Sequence, residues 1–98
     1  MSSAAKRKAG RRQKIAVLRK AQRERCGACG RRVPPLDVYC APANRPTLDH
    51  VVPRAAGGKG ILGNLLVMHH HCNALKADRR PTGCELLILA AANARLGL

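Results

Sequence analysis

The chain has 98 residues, 46% of them apolar and 24% charged, the composition of one small globular domain and not of a disordered segment. With no Trp, no Phe and a single Tyr (Tyr39), its core has to be built from Leu, Ile, Val, Ala and Met, and a structural metal is the expected supplement, given five Cys and four His. Lys and Arg outnumber Asp and Glu by 19 to 5, a net charge of +14 that favours polyanionic partners, while the longest apolar run, Leu86 to Ala92, is too short to cross a bilayer.

The positive charge is concentrated at the front, where residues 1–32 hold 12 basic residues against Glu24 alone. Such a field attracts phosphate backbones without reading sequence; a basic tail that serves only solubility or addressing is the alternative. Residues 1–10 read as a mobile arm, and residues 11–25 as a basic helix with a narrow apolar stripe at Ile15 and Leu18. The leading Met1 to Lys8 has no apolar core like that of a secretory signal, so a reducing, cytoplasmic setting is expected. The segment from Arg31 to Pro46 is loop-rich. Two short β-prone runs follow, Thr47 to Val52 and Leu65 to Met68, joined by a Gly-rich loop, Ala55 to Gly60, that reads as flexible and exposed. A short helix is expected over 71–80, stopped by Pro81. Thr82 with Glu85 forms a capping-box pattern before a helix that ends at Gly97 and is apolar nearly all round, packed on two sides within the domain or against a second copy. The organisation is thus a basic arm and helix over 1–25, a core over 26–80, and a C-terminal helix over 81–98 packing on that core.

Cys26-x-x-Cys29 and His69-x-x-Cys72 are two knuckles that each place two soft ligands three residues apart, the pattern of a four-coordinate structural Zn²⁺ site. Cys40, in the Pro-rich loop, is an alternative fourth ligand, and Cys84 reads as a small core residue of the last helix. Zinc does not require Asp49-His50, Asn64 or Asn73, although these polar residues fall on the two short strands and at the helix after them.

The run from Leu48-Asp49-His50 through Pro53-Arg54 and Gly57-Gly58, then Gly63-Asn64-Leu65, His69-x-x-Cys72-Asn73, Lys76 and Asp78-Arg79, resembles the HNH endonuclease family over residues 26–79. The resemblance implies an α+β fold of the ββα-metal type, with a structural zinc site, flanked here by the basic N-terminal helix and the apolar C-terminal helix. It implies His50 as general base, Asn64 as the brace of the loop that orients it, and Asp49 and Asn73 as ligands of a catalytic divalent ion. It also implies DNA as substrate, cleaved by phosphodiester hydrolysis.

Two positions depart from the family pattern. Asn73 stands where the third His is usual, and its amide oxygen favours Mg²⁺, with Mn²⁺ as substitute; His69 stands where a knuckle Cys is usual. Arg54, Lys76 and Arg79 are candidate phosphate contacts, with Arg80 beside them, whereas His70 and His71 read as surface residues. Beyond DNA, the expected partners are a second copy of the chain, a phage packaging protein or another protein, and the Ala/Arg/Gly-rich style suggests a bacterial or phage source. A different class of function uses the same knuckles and charge, namely a non-catalytic zinc-ribbon module that binds nucleic acid. Only Asp49, His50, Asn64 and Asn73 favour the enzyme.

Overall fold

The computed structural model describes residues 3–98, and side-chain surroundings from residue 10 onward. A helix α1 (Ser3–Ala21) leads, followed by a long loop, strand β1 (Pro46–His50), strand β2 (Leu65–His69), a short helix α2 (His70–Lys76) and a last helix α3 (Gly83–Leu96). β1 and β2 form a two-stranded antiparallel sheet whose register runs from Pro46 opposite His69 to His50 opposite Leu65. The hairpin and α2 together are the ββα unit that the resemblance implied.

All five residues of β2 are buried, because the strand is covered on more than one side. Its Val67 backbone bonds to a side chain rather than to a third strand: Gln22 Nε2 donates to Val67 O at 2.9 Å, and Gln22 Oε1 accepts from Val67 N at 2.7 Å. Gln22 follows directly on α1, so this amide pins the helix end to the sheet and satisfies backbone groups that burial would otherwise leave unpaired. Ile15 and Leu18, the expected apolar stripe, are buried against Val33, Val51 and Leu65 to Met68. The core is aliphatic, as composition required, and Tyr39 is almost wholly exposed.

Several boundaries differ from those read in the sequence. The helix begins at Ser3, within the segment read as an arm, of which Met1 and Ser2 lie outside the described residues. It ends at Ala21 rather than Arg25, because Arg23 and Glu24 take positive φ (55° and 64°) and turn the chain back toward the first knuckle. α2 stops at Lys76, where Ala77 adopts a φ of 47°, four residues ahead of Pro81. The capping box of α3 forms as read, with Thr82 Oγ1 accepting from Glu85 N and Glu85 Oε1 from Thr82 N. Its packing is one-sided: Ala92 is buried and Ile88, Leu89 and Leu96 lie against the core, while Leu86 and Leu87 face solvent. Cys84 is exposed, not a core residue, since the neighbouring Glu85 takes the buried position on this turn.

Candidate functional site

The two knuckles meet. The ligand atoms of Cys26, Cys29, His69 and Cys72 all lie within 4.8 Å of one another, close enough to share one tetrahedral ion. The first knuckle is the turn after α1, closed by Gly30 N donating to Cys26 O, and the second spans the junction of β2 and α2. His69 Nδ1 lies 3.4 Å from Cys29 Sγ, while Nε2 donates to Arg32 O at 2.9 Å. That donation places the ring proton on Nε2 and leaves the Nδ1 lone pair facing the thiols, the orientation that a zinc-ligating imidazole needs. Burial, followed by the neighbouring Cys26 and Cys29 thiols, pushes the Cys72 thiol up to about 12, a crowding of thiols that a bound cation would relieve. Cys40 is not among the converging atoms; it lines the cleft beside them with Asn44 and His71. His70 and His71 are exposed.

The other polar residues converge elsewhere. Asp49, His50, Arg54 and Asn73 line a groove of about 300 Å³, together with Leu48, Pro53, Ala77 and Asp78. Asp78 was not singled out from the sequence, and no signal beyond its place in the family-like run marks it.

His50, at the end of β1, is half-buried, and its Nε2 accepts from Arg54 Nε at 3.3 Å. Because a guanidinium only donates, Nε2 carries the lone pair in this arrangement. Burial, then the positive charges of Arg54, Lys76 and Lys14, hold the imidazole below its ordinary pKa, so it is neutral at physiological pH. Neutrality is what a proton acceptor requires.

The loop beside His50 is tied down, not free. Asn64 Oδ1 accepts from Val52 N at 2.9 Å, and its Nδ2 donates to Val52 O at 3.1 Å and Lys59 O at 2.9 Å. One side chain thus joins the start of the loop to its far end. Gly58 belongs to this arrangement, since a Cβ there would run into the Val52 carbonyl. The Ala55 to Gly60 connection is exposed over most of its length, as expected, and Asn64 ties its flanks at Val52 and Lys59.

Asp49 is buried and faces Lys76, whose Nζ lies 3.3 Å from Asp49 Oδ2. Burial raises the Asp49 carboxyl to about 6, against the opposing pull of the Lys76 ammonium. Lys76 is not a phosphate contact at the surface: its side chain is fully buried and also donates to His50 O and Val51 O. Its role is to neutralise Asp49 and to tie α2 under the end of β1. Arg79 is half-exposed, but its Nη1 is engaged by Glu85 Oε1 at 2.9 Å. Arg54 is exposed beside His50.

Whether Asp49 and Asn73 suit a divalent ion can be tested on their own bonds. Asp49 Oδ2 is buried without a hydrogen-bond partner of good geometry. Asn73 Nδ2 is spent on Thr47 Oγ1 and Leu48 O, which leaves the amide oxygen as the group available to a cation. One carboxylate and one amide oxygen suit a hard ion that keeps several waters. Among the described residues the zinc cluster alone assembles three or more Cys, His, Asp or Glu ligands.

A family profile described as HNH endonuclease matches residues 26–79, more than half of the chain, and spans both knuckles and all of the groove. The chain belongs to the HNH endonuclease family, and its ββα hairpin with a Cys₃His cluster is the corresponding fold. A nuclease or other nucleic-acid-related function follows at that level. Comparison with curated proteins and with solved structures returned no match. No described helix is long and apolar enough to cross a membrane.

Proposed function

We propose that this chain is a metal-dependent DNA endonuclease whose nuclease core, residues 26–80, hydrolyses phosphodiester bonds to leave 5′-phosphate and 3′-hydroxyl ends. The observation that carries the reading is the shared groove of His50, Asp49, Asn73 and Arg54. His50 is the general base. Its Nε2 lone pair is held by Arg54 in the free protein, and an incoming phosphate, a stronger acceptor for a guanidinium than a neutral ring, draws Arg54 away. The exposed lone pair then takes a proton from water as the water oxygen attacks phosphorus, the bond from phosphorus to the 3′ oxygen breaks, and the leaving oxygen takes a proton from solvent water to end as a hydroxyl. Asn64 fixes the loop and with it the position of the base. Asp49 and Asn73 would hold Mg²⁺, or Mn²⁺ in its place, which when bound supplies Lewis-acid stabilisation of charge on the phosphate and leaving oxygen. The Cys26, Cys29, His69 and Cys72 site would hold structural Zn²⁺.

Plasmid cleavage with Mg²⁺ by wild type and by His50→Ala tests the proposal. Cleavage by wild type and its loss in the variant, with DNA binding retained, is the expected result. Equal cleavage by both would leave the non-catalytic zinc-ribbon module as the better reading of the same knuckles and charge.

A further inference from the structure

The family match begins at Cys26, yet α1, which lies wholly before it, reaches the loop that flanks His50. Lys14 Nζ donates to the carbonyl oxygen of Gly60 at 3.4 Å, across 46 positions of sequence. Gly60 is the loop residue that lies against the base: a Cβ built on it would stand 3.4 Å from His50 Nε2 and 3.6 Å from Arg54 Nη2. The cationic ends of Lys14 and Arg54 therefore both come to Gly60, beside His50.

The helix, rather than that one long bond, holds the lysine there. Ile15, its neighbour, is 2% exposed, Leu18 is fully buried one turn on, and Gln22 is bonded to both backbone groups of Val67. Lys14 itself is half-buried, and among the described residues no carboxylate lies within ion-pair distance of it. Four other cations of the fold are paired with carboxylates: Lys76 with Asp49, Arg79 with Glu85, and Arg19 and Arg32 with Glu24. A partly desolvated ammonium on a rigid helix, with only a neutral carbonyl as partner, gains most from a phosphodiester oxygen.

We infer that Lys14 is a DNA-positioning residue, supplied to the nuclease groove from outside the family segment, which holds a backbone phosphate next to the one that Arg54 takes. The inference rests on the nuclease reading above. The pair grips the strand on both sides of Gly60 as it binds beside His50. α1 is then part of the active site as well as of the basic surface, and the family segment alone lacks one of its substrate contacts.

Steady-state cleavage of a duplex oligonucleotide at saturating Mg²⁺, comparing wild type, Lys14→Met, Lys14→Arg and Lys20→Met, tests it. Lys20 is exposed on the last turn of the same helix, and its replacement removes the same charge. Lys14→Met is expected to raise KM for DNA about tenfold with kcat within about twofold, because the contact forms equally in the bound and transition states. Lys14→Arg should recover most of that loss, and Lys20→Met should move KM by less than about threefold. Equal KM increases in the two Met variants would reduce Lys14 to generic attraction and overturn the inference, as would an unchanged KM in Lys14→Met. Anisotropy binding of the same duplex, with His50→Ala added to each protein, reads the contact without turnover, and the same order of affinities is expected. Failure of wild type to cleave, with that order intact, would remove the nuclease reading and leave the Lys14 contact standing; loss of that order removes the contact itself.

Discussion

The zinc cluster and the groove sit toward opposite ends of one short hairpin, the first at His69 of β2 and the second at His50 of β1, and they handle charge in opposite ways. At the cluster, four soft ligands converge, His69 is oriented by Arg32, and among the described residues no ammonium or guanidinium hydrogen-bonds to any of them. At the groove, two hard oxygens stand among cations: Lys76 is bonded in behind Asp49 and Arg54 covers the base. A closed set of four soft ligands could keep an ion and stabilise the fold. Under the proposed reading, an open pair of oxygens shares its ion with water and substrate.

The sharpest way to break this comparison is to remove one ligand from the closed set. Cys72→Ser or Cys29→Ser should release zinc and unfold the domain, since a site of this kind supplies on the order of 10 kcal/mol to folding. His50→Ala should keep both metal and fold. Zinc stoichiometry and far-UV circular dichroism measured together check this, and equal loss of structure in all three variants would show that the two sites are not separable.

In the groove, loss of the base and loss of a ligand should part company. His50→Ala should reduce the cleavage rate by roughly 10²–10⁴-fold, the usual worth of a positioned general base, and added metal should not restore it. Asp49→Ala and Asn73→Ala should regain part of their activity at high Mg²⁺ or in Mn²⁺, because a weakened site can be refilled. Rescue of His50→Ala by metal would reverse these assignments.

Lys76 tests how far burial governs the groove. If it were the surface cation that its sequence position suggests, Lys76→Met would change stability by less than about half a kcal/mol. Buried against Asp49, its loss should cost about 3–5 kcal/mol by stranding a carboxylate, and Asp49→Asn in the same chain should return much of that. Urea midpoints of the two single variants and the double variant give the answer.

Lys76 also shows where the sequence stops being readable. The knuckles, the two strands and the capped last helix were legible because each is marked by local chemistry: ligand spacing, short β-prone or apolar runs, a Thr and a Glu three apart; Asp49-His50 was marked by the family resemblance. Lys76 carries no such mark; a lysine on a short polar helix is placed by its partner, and Asp49 lies 27 positions away in sequence. The end of α1 was hidden for a similar reason, because Arg23 and Glu24 enter the left-handed region without a glycine to announce it. The reach of Lys14 to Gly60 depends on how Ile15, Leu18 and Gln22 seat the helix, which composition could not specify. Charge on the front third was visible, but not which of its lysines would lie beside the base.

The smallest expected effect lies in the acid limb of the pH profile, and it sharpens the contrast between a base and a ligand in one groove. Asp49, raised to about 6 by burial, has to be ionised to hold a cation, and His50, held below its ordinary value, has to be neutral to accept a proton. Both requirements are met by losing a proton, so cleavage should rise with pH and level off above about pH 6–7. Two losses that act together make the limb steeper than one, with a slope in log rate approaching about two once the pH falls below the pKa of both groups. Raising Mg²⁺ competes only with the Asp49 proton, so it should move the limb to lower pH and reduce its slope toward about one. In Asp49→Asn the slope should be about one at every Mg²⁺ concentration, because only His50 still titrates. A wild-type limb of unit slope that Mg²⁺ does not move would mean that Asp49 stays ionised through its pairing with Lys76 across the whole range, and that the lysine, not the metal, is its working partner.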